Sequence, residues 1–166
     1  YTVDGANGQT GYTGLLVETA AVSDVPDWKE MLNWSAPVPI GHPLRHRFPH
    51  RYGDPTLPDD DLPGTTEVLM EFHRVTLDLQ RRVLRVLAVG LGVDEGFFDA
   101  MLRDGAALTR ALHYPSMDLA PGDEHVWAAE HGDINLVTAL PRATAPGLQV
   151  KTDDGWIAAT PPDGHV

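Results

Sequence analysis

His131-Gly132-Asp133 stands between Arg110-Ala111-Leu112-His113-Tyr114-Pro115, the end of an apparent strand, and the run Pro146-Gly147-Leu148-Gln149-Val150. Side chains of an extended chain alternate faces, so a residue and the next but one point the same way. At the start of a strand, His131 and Asp133 therefore share a face. A neutral imidazole and a carboxylate held together supply two of the three ligands of a 2-His-1-carboxylate site, which binds non-haem Fe(II) and leaves positions open for oxygen. The three-residue pattern is short, and its weight comes from what surrounds it.

Working outward, the text beyond Gly105 breaks into short segments at 108–114, 126–130, 135–140, 148–152 and 156–160, separated by Gly, Pro and Asp. This spacing predicts antiparallel strands. Upstream, Val68, Phe72, Val75, Leu79, Val83 and Val86 recur every three or four positions, which predicts a helix from Thr65 to Val89. Thr65 or Thr66 suits its start and Gly90 and Gly92 its end. Asp94 is expected to cap a second helix from Glu95 to about Arg103 that buries Phe97, Phe98, Met101 and Leu102. Residues 1–64 are rich in Gly and Pro and read as loops with short strands. Helix followed by strands predicts an α+β domain with the long helix outside a sheet, and a jelly roll fits the second half.

The chain has 166 residues, no cysteine and a net charge of −12. That length is about one domain. The charge argues against nucleic acid or an anionic membrane as partner, and no apolar run reaches the roughly 18 residues of a membrane span. Without thiolates, imidazole and carboxylate are the strong metal ligands on offer. No signal peptide is visible, which points to the cytoplasm. Ten arginines against two lysines, with abundant Ala, Gly and Pro, suggest a bacterial source. The basic exception is 42–51, where Arg45, Arg47 and Arg51 share a loop with His42, His46 and His50; Pro43 and Pro49 argue against a continuous helix there. Trp28, Trp34, Trp127 and Trp156 read as packing residues.

Several pieces together resemble the isopenicillin N synthase-like family of Fe(II)/2-oxoglutarate-dependent oxygenases. They are Gly11-Tyr12-Thr13 with Glu18, Asp27-Trp28-Lys29-Glu30, the run Leu84 to Val93, Tyr114-Pro115, His131-x-Asp133, Gly147-Leu148-Gln149-Val150 and Trp156, in family order. The resemblance implies a double-stranded β-helix, a cupin-like jelly roll with a long flanking helix. It implies one oxygenase domain over 1–166, cut at both ends, with a loop-rich N-terminal segment over 1–64, helices over 65–104 and the beginning of the roll over 105–166. His131 and Asp133 would ligate Fe(II), with 2-oxoglutarate as co-substrate, O2 as oxidant and a small molecule as substrate. The distal histidine and the residues gripping the co-substrate carboxylate would lie beyond the 33 residues that follow Asp133, and His165 is too close to serve.

Gly132 departs from the family's polar residue between the ligands, and Asp133 argues against the halogenase-type members. Tyr114 matches a family tyrosine that contacts co-substrate or substrate, although Leu112 stands where that family has asparagine. Arg110, on the same strand, could hold a substrate carboxylate. The chemistry implied is hydroxylation, desaturation or cyclisation, in bacterial secondary metabolism. Two alternatives stay open: a 2-oxoglutarate-independent oxidase of the isopenicillin N synthase type, and a non-catalytic jelly-roll binding module.

Overall fold

Glu30-Met31-Leu32-Asn33-Trp34 forms the middle strand of the only three-stranded sheet among the described residues, because flanking segments can bond it on both edges. The computed structural model describes residues 1–165. In chain order the elements are β1 (Gly11–Thr13), β2 (Glu30–Trp34), α1 (Pro43–Arg47), α2 (Pro49–Tyr52), α3 (Thr65–Gly90), α4 (Asp99–Leu102), β3 (Thr109–His113), a 3-10 turn (Met117–Leu119), β4 (Gln149–Thr152) and β5 (Gly155–Ala158). The chain divides into two units, Tyr1–Asp133 and Ile134–Val166.

In the first unit β2 pairs antiparallel with β1 (Tyr12 opposite Leu32) and with β3 (Leu32 opposite Ala111, Trp34 opposite Thr109). Glu30, Leu32, Trp34 and their partners share one face, and α3 lies against it. Trp34 is 1% exposed, and its indole N–H donates to the Leu69 carbonyl at 3.1 Å. Thr109 meets the buried His73 imidazole at 2.7 Å. Met31 and Asn33 are buried on the other face. Gly11 is required at its place: its φ is +74°, and a Cβ there would collide with the Tyr1 carbonyl oxygen, which accepts the Tyr12 N–H.

The predicted long helix is present, ending one residue later than expected. Its packed face is Leu69, His73, Leu77, Gln80, Leu84 and Ala88, with His73, Leu84 and Ala88 buried. The stripe that marks the helix in sequence, Val68 to Val86, is one residue round the cylinder and remains 38–72% exposed. Residues one apart are about 100° apart on a helix, so α3 carries two adjacent apolar stripes and the sheet takes one.

The cap differs from expectation. Gly64, which has no side chain to cap with, takes the N-cap position at φ +87°. The Asp59 carboxylate accepts the N–H groups of Gly64 (3.0 Å) and Thr66 (2.9 Å) as well as the Thr66 hydroxyl, while the Thr65 hydroxyl turns back to the Leu62 carbonyl. At the other end Gly92, at φ +73°, closes the helix with Val93 N–H reaching Ala88 O and Gly92 N–H reaching Val89 O.

Three further expectations are corrected. The second helix is only Asp99–Leu102: the Asp94 carboxylate bonds the Gly96 N–H in a turn instead, and Phe97 and Met101 stay about half exposed. Residues 42–51 are not a loop but two short helices, each opening on a proline whose missing N–H costs nothing at a first turn. No strand forms over 126–130 or 135–140. A ladder needs successive N–H and C=O groups taken by one neighbouring strand; the segment 126–130 is held instead by single bonds, Trp28 N–H to Val126 O and Ala129 N–H to Asp27. Of the tryptophans, Trp28 and Trp34 are buried, whereas Trp127 and Trp156 are 37% and 49% exposed.

In the second unit β4 and β5 form the expected hairpin, Thr152 facing Gly155 across a two-residue turn. The Lys151 ammonium sits 5.6 Å from the centre of the Trp156 ring.

Candidate metal centre

Asp27, Trp28 and Lys29 precede β2 in an extended stretch, and Asp27 and Lys29, two apart, turn toward each other. The Lys29 ammonium lies 2.7 Å from Asp27 Oδ2 and 2.8 Å from Glu18 Oε2, and Glu18 also pairs with Arg110 at 3.2 Å. Lys29 and Asp27 are almost fully buried. Burial works against the lysine charge, but the hydrogen bonds it donates to Asp27 and Glu18 outweigh it and hold the ammonium above its ordinary range. For Glu18 burial pushes upward, and Lys29 and Arg110 overcome it to hold the carboxyl below the usual range.

The segment 125–133 is stitched to this cluster. His125 Nδ1 donates to the Pro26 carbonyl at 3.0 Å, Trp28 N–H to Val126 O at 2.8 Å, and Ala129 N–H to Asp27 Oδ1 at 2.9 Å. His131 Nδ1 then donates to the Ala129 carbonyl at 2.8 Å. That bond places the proton on Nδ1 and leaves the lone pair on Nε2. His131 Nε2 is 3.8 Å from Asp133 Oδ1, and both side chains are about half exposed. A Cβ on Gly132 would meet nothing within 4 Å.

Residues 131–133 are not in a strand ladder; the His131 ring is oriented by its bond to the Ala129 carbonyl two residues before it. Adjacent ligands each about 2.1 Å from one ion lie about 3 Å apart, so this pair, at 3.8 Å, must close by under about 1 Å to share a single cation. One nitrogen and one carboxylate oxygen suit Fe(II). Among the described residues no cluster of three or more His, Cys, Asp or Glu side chains is placed to hold a metal.

Tyr114 follows β3 and packs on Trp127, ring centres 6.2 Å apart, while the Trp127 N–H donates to the Pro115 carbonyl. Burial pushes the Tyr114 phenol upward; Lys29 opposes this, and Asp27 and Glu18 add to it. Arg110 reaches Glu18. His42 caps α1, and Arg45 pairs with Asp54, so these members of the basic segment have structural partners. Residue-by-residue reading of the sequence does not single out Asp27, Lys29 and Glu18 as a charged cluster. A signal is nonetheless there: an acid and a base two apart in an extended stretch share a face by the same rule applied to His131 and Asp133.

No family model matches the chain. It is 33% identical over 149 residues to a 2-oxoglutarate-Fe(II) type oxidoreductase, hxnY, of Emericella nidulans, covering 84% of this chain and 41% of that protein. An isopenicillin N synthase of Streptomyces griseus is 30% identical over 94 residues, 52% of this chain and 29% of that protein. Among solved structures, a 2OG-Fe(II) oxygenase family protein from Caulobacter crescentus superposes with a TM-score of 0.78 at 33% identity, covering 98% of this chain and 50% of that one. A full-length Neurospora crassa protein in complex with alpha-KG gives 0.72 at 30% identity, covering 95% and 49%. The chain thus spans half the length, or less, of the proteins it matches. Agreement in sequence and in backbone leads to one assignment: the chain belongs to the isopenicillin N synthase-like family of 2-oxoglutarate/Fe(II) oxygenases.

Proposed function

We propose that this chain supplies two Fe(II) ligands, His131 Nε2 and an Asp133 oxygen, to an oxygenase that uses 2-oxoglutarate and O2 to oxidise a small molecule. The observation that carries this is the pairing of an imidazole whose Nδ1 proton is committed to Ala129 O with a carboxylate 3.8 Å from its Nε2, in a chain whose relatives bear oxygenase names. When bound, Fe(II) supplies oxygen activation coupled to oxidative decarboxylation of 2-oxoglutarate, which drives hydroxylation, desaturation or cyclisation of substrate.

The chain's own residues prepare the site. Ala129 orients the imidazole and Asp133 brings the negative charge. Tyr114 is assigned, by the resemblance, to contact co-substrate or substrate. Arg110 offers a guanidinium to a substrate carboxylate, in competition with Glu18. The sheet β1-β2-β3 with α3 behind it is assigned to one side of a double-stranded β-helix, and residues 1–166 to a single oxygenase domain. The net charge of −12 favours a small molecule over nucleic acid. A setting in bacterial secondary metabolism follows the isopenicillin N synthase relatives and the arginine-rich composition. No helix among the described residues is long and apolar enough to cross a membrane.

The same relatives favour one second reading, an Fe(II) oxidase that consumes O2 without 2-oxoglutarate. Anaerobic Fe(II) and 2-oxoglutarate, added to the intact protein, should give a metal-to-ligand charge-transfer band that disappears in His131→Ala. Succinate should form in step with turnover. Substrate-dependent O2 uptake without succinate selects the second reading, and Fe(II) binding unaffected by His131→Ala rules out both.

A further inference from the structure

Residues 120–148 form no helix and no ladder, yet they carry both metal-ligand candidates. Such a segment must find partners elsewhere for its backbone polar groups, and Ala129 is where the two requirements meet. Its N–H goes to Asp27 Oδ1 at 2.9 Å, and its carbonyl receives His131 Nδ1 at 2.8 Å. Asp27 is 2% exposed, and its second oxygen is clamped by Lys29 at 2.7 Å.

We propose that Asp27 is a positioning residue for His131: its carboxylate, locked by Lys29, fixes Ala129, and the Ala129 carbonyl fixes the imidazole with Nε2 presented to the metal. The proposal rests on the metal reading above. A hydrogen bond to a ligand's second ring nitrogen sets its tautomer and orientation and raises its basicity, but it orients the ring only if the acceptor is itself held still. An N–H bond to an ionised carboxylate is roughly twice as strong as one between neutral groups, so Asp27 is a firm anchor. Two further contacts, Trp28 N–H to Val126 O and His125 Nδ1 to Pro26 O, fix the approach of the segment. Without Asp27, Ala129 keeps neither its N–H partner nor a defined carbonyl direction.

The test uses the intact, metal-free protein and three variants. Asp27→Ala/Lys29→Met removes the anchor and its counter-charge together, so that no buried ion is left alone. Asp27→Asn keeps an acceptor for Ala129, and His131→Ala is the control. In the double variant, exchange of the Ala129 amide should accelerate, the ring nitrogen shifts of His131 should lose the Nδ1–H preference, and anaerobic Fe(II) affinity should fall about 10–100-fold. Asp27→Asn should restore amide protection, the tautomer signature and most of the affinity. An unchanged His131 signature and unchanged Fe(II) affinity in the folded double variant overturn the proposal. So does an Asp27→Asn loss as large as that of the double variant. If His131→Ala itself leaves Fe(II) affinity intact, the metal reading has failed; if it abolishes binding while the double variant does not, the positioning role alone has failed.

Discussion

Substituting Lys29 by Met tests whether the Asp27–Lys29–Glu18 cluster is a buried ion network. The Lys29 side chain is 7% exposed and touches two carboxylates, at 2.7 Å and 2.8 Å. At an effective dielectric of about 20, unit charges about 3 Å apart attract by about 5–6 kcal/mol per pair, and desolvation offsets much of that. Methionine fills most of the lysine volume, so the change removes charge with little cavity. Asp27, 2% exposed, is then left with the Ala129 N–H and no cation. Breaking a buried pair from one side costs about 3–5 kcal/mol. The assay is urea unfolding followed by tryptophan fluorescence, which Trp28 and Trp34 make sensitive to this unit. Adding Asp27→Ala should recover some of the loss, giving a coupling of about 1–3 kcal/mol. A single-variant cost under about 1 kcal/mol would mean the cluster behaves as an exposed pair, and the network argument would fail.

Glu18 has a folded-state pKa below its ordinary 4.5. Its contribution is therefore complete above that ordinary value and fades as pH falls through the lower folded value; the stability gap between wild type and Glu18→Gln should narrow in acid, and a gap constant from neutrality to strong acid would contradict it. Lys29, raised above 10.5, contributes fully below that value and loses its contribution at still higher pH, so the wild-type stability profile should be flat between the two limits as far as this cluster is concerned. Trp34→Ala, at a side chain 1% exposed between β2 and α3, should cost about 3–5 kcal/mol in the same unfolding assay. Asp59→Ala removes the acceptor for two N–H groups at the start of α3 and should cost about 1–2 kcal/mol, with hydrogen exchange rising first at Gly64 and Thr66.

Elements set by local rules were legible in the sequence. The 3.6-residue recurrence marks α3, and Gly92 marks its end. Short runs bounded by Gly and Asp mark β3, β4 and β5. What depends on a distant partner was not. Which of two neighbouring stripes α3 packs is decided by where Trp34 and Thr109 meet it. The cap comes from Asp59, several residues ahead of the helix, rather than from the adjacent threonines. At 126–130, where a strand was expected, the bonds that form, Trp28 N–H to Val126 O and Ala129 N–H to Asp27, are single contacts with no ladder between them. At the candidate metal centre, the spacing of His131 and Asp133 hints at their proximity, although no strand ladder carries them. The contact that anchors Ala129, the acceptor for His131, is its bond to Asp27, which joins residues 102 apart and leaves no trace in any local window.

That separation bears on how the protein matures. Loop closure over so long a stretch pays its entropy before any reward arrives. Helix α3 can wind as soon as its own residues are free, while the bend holding the imidazole must wait until chain made a hundred residues earlier has found it. The imidazole's orientation is thus among the last features to set, and in a half-folded molecule His131 and Asp133 have no fixed relation to one another.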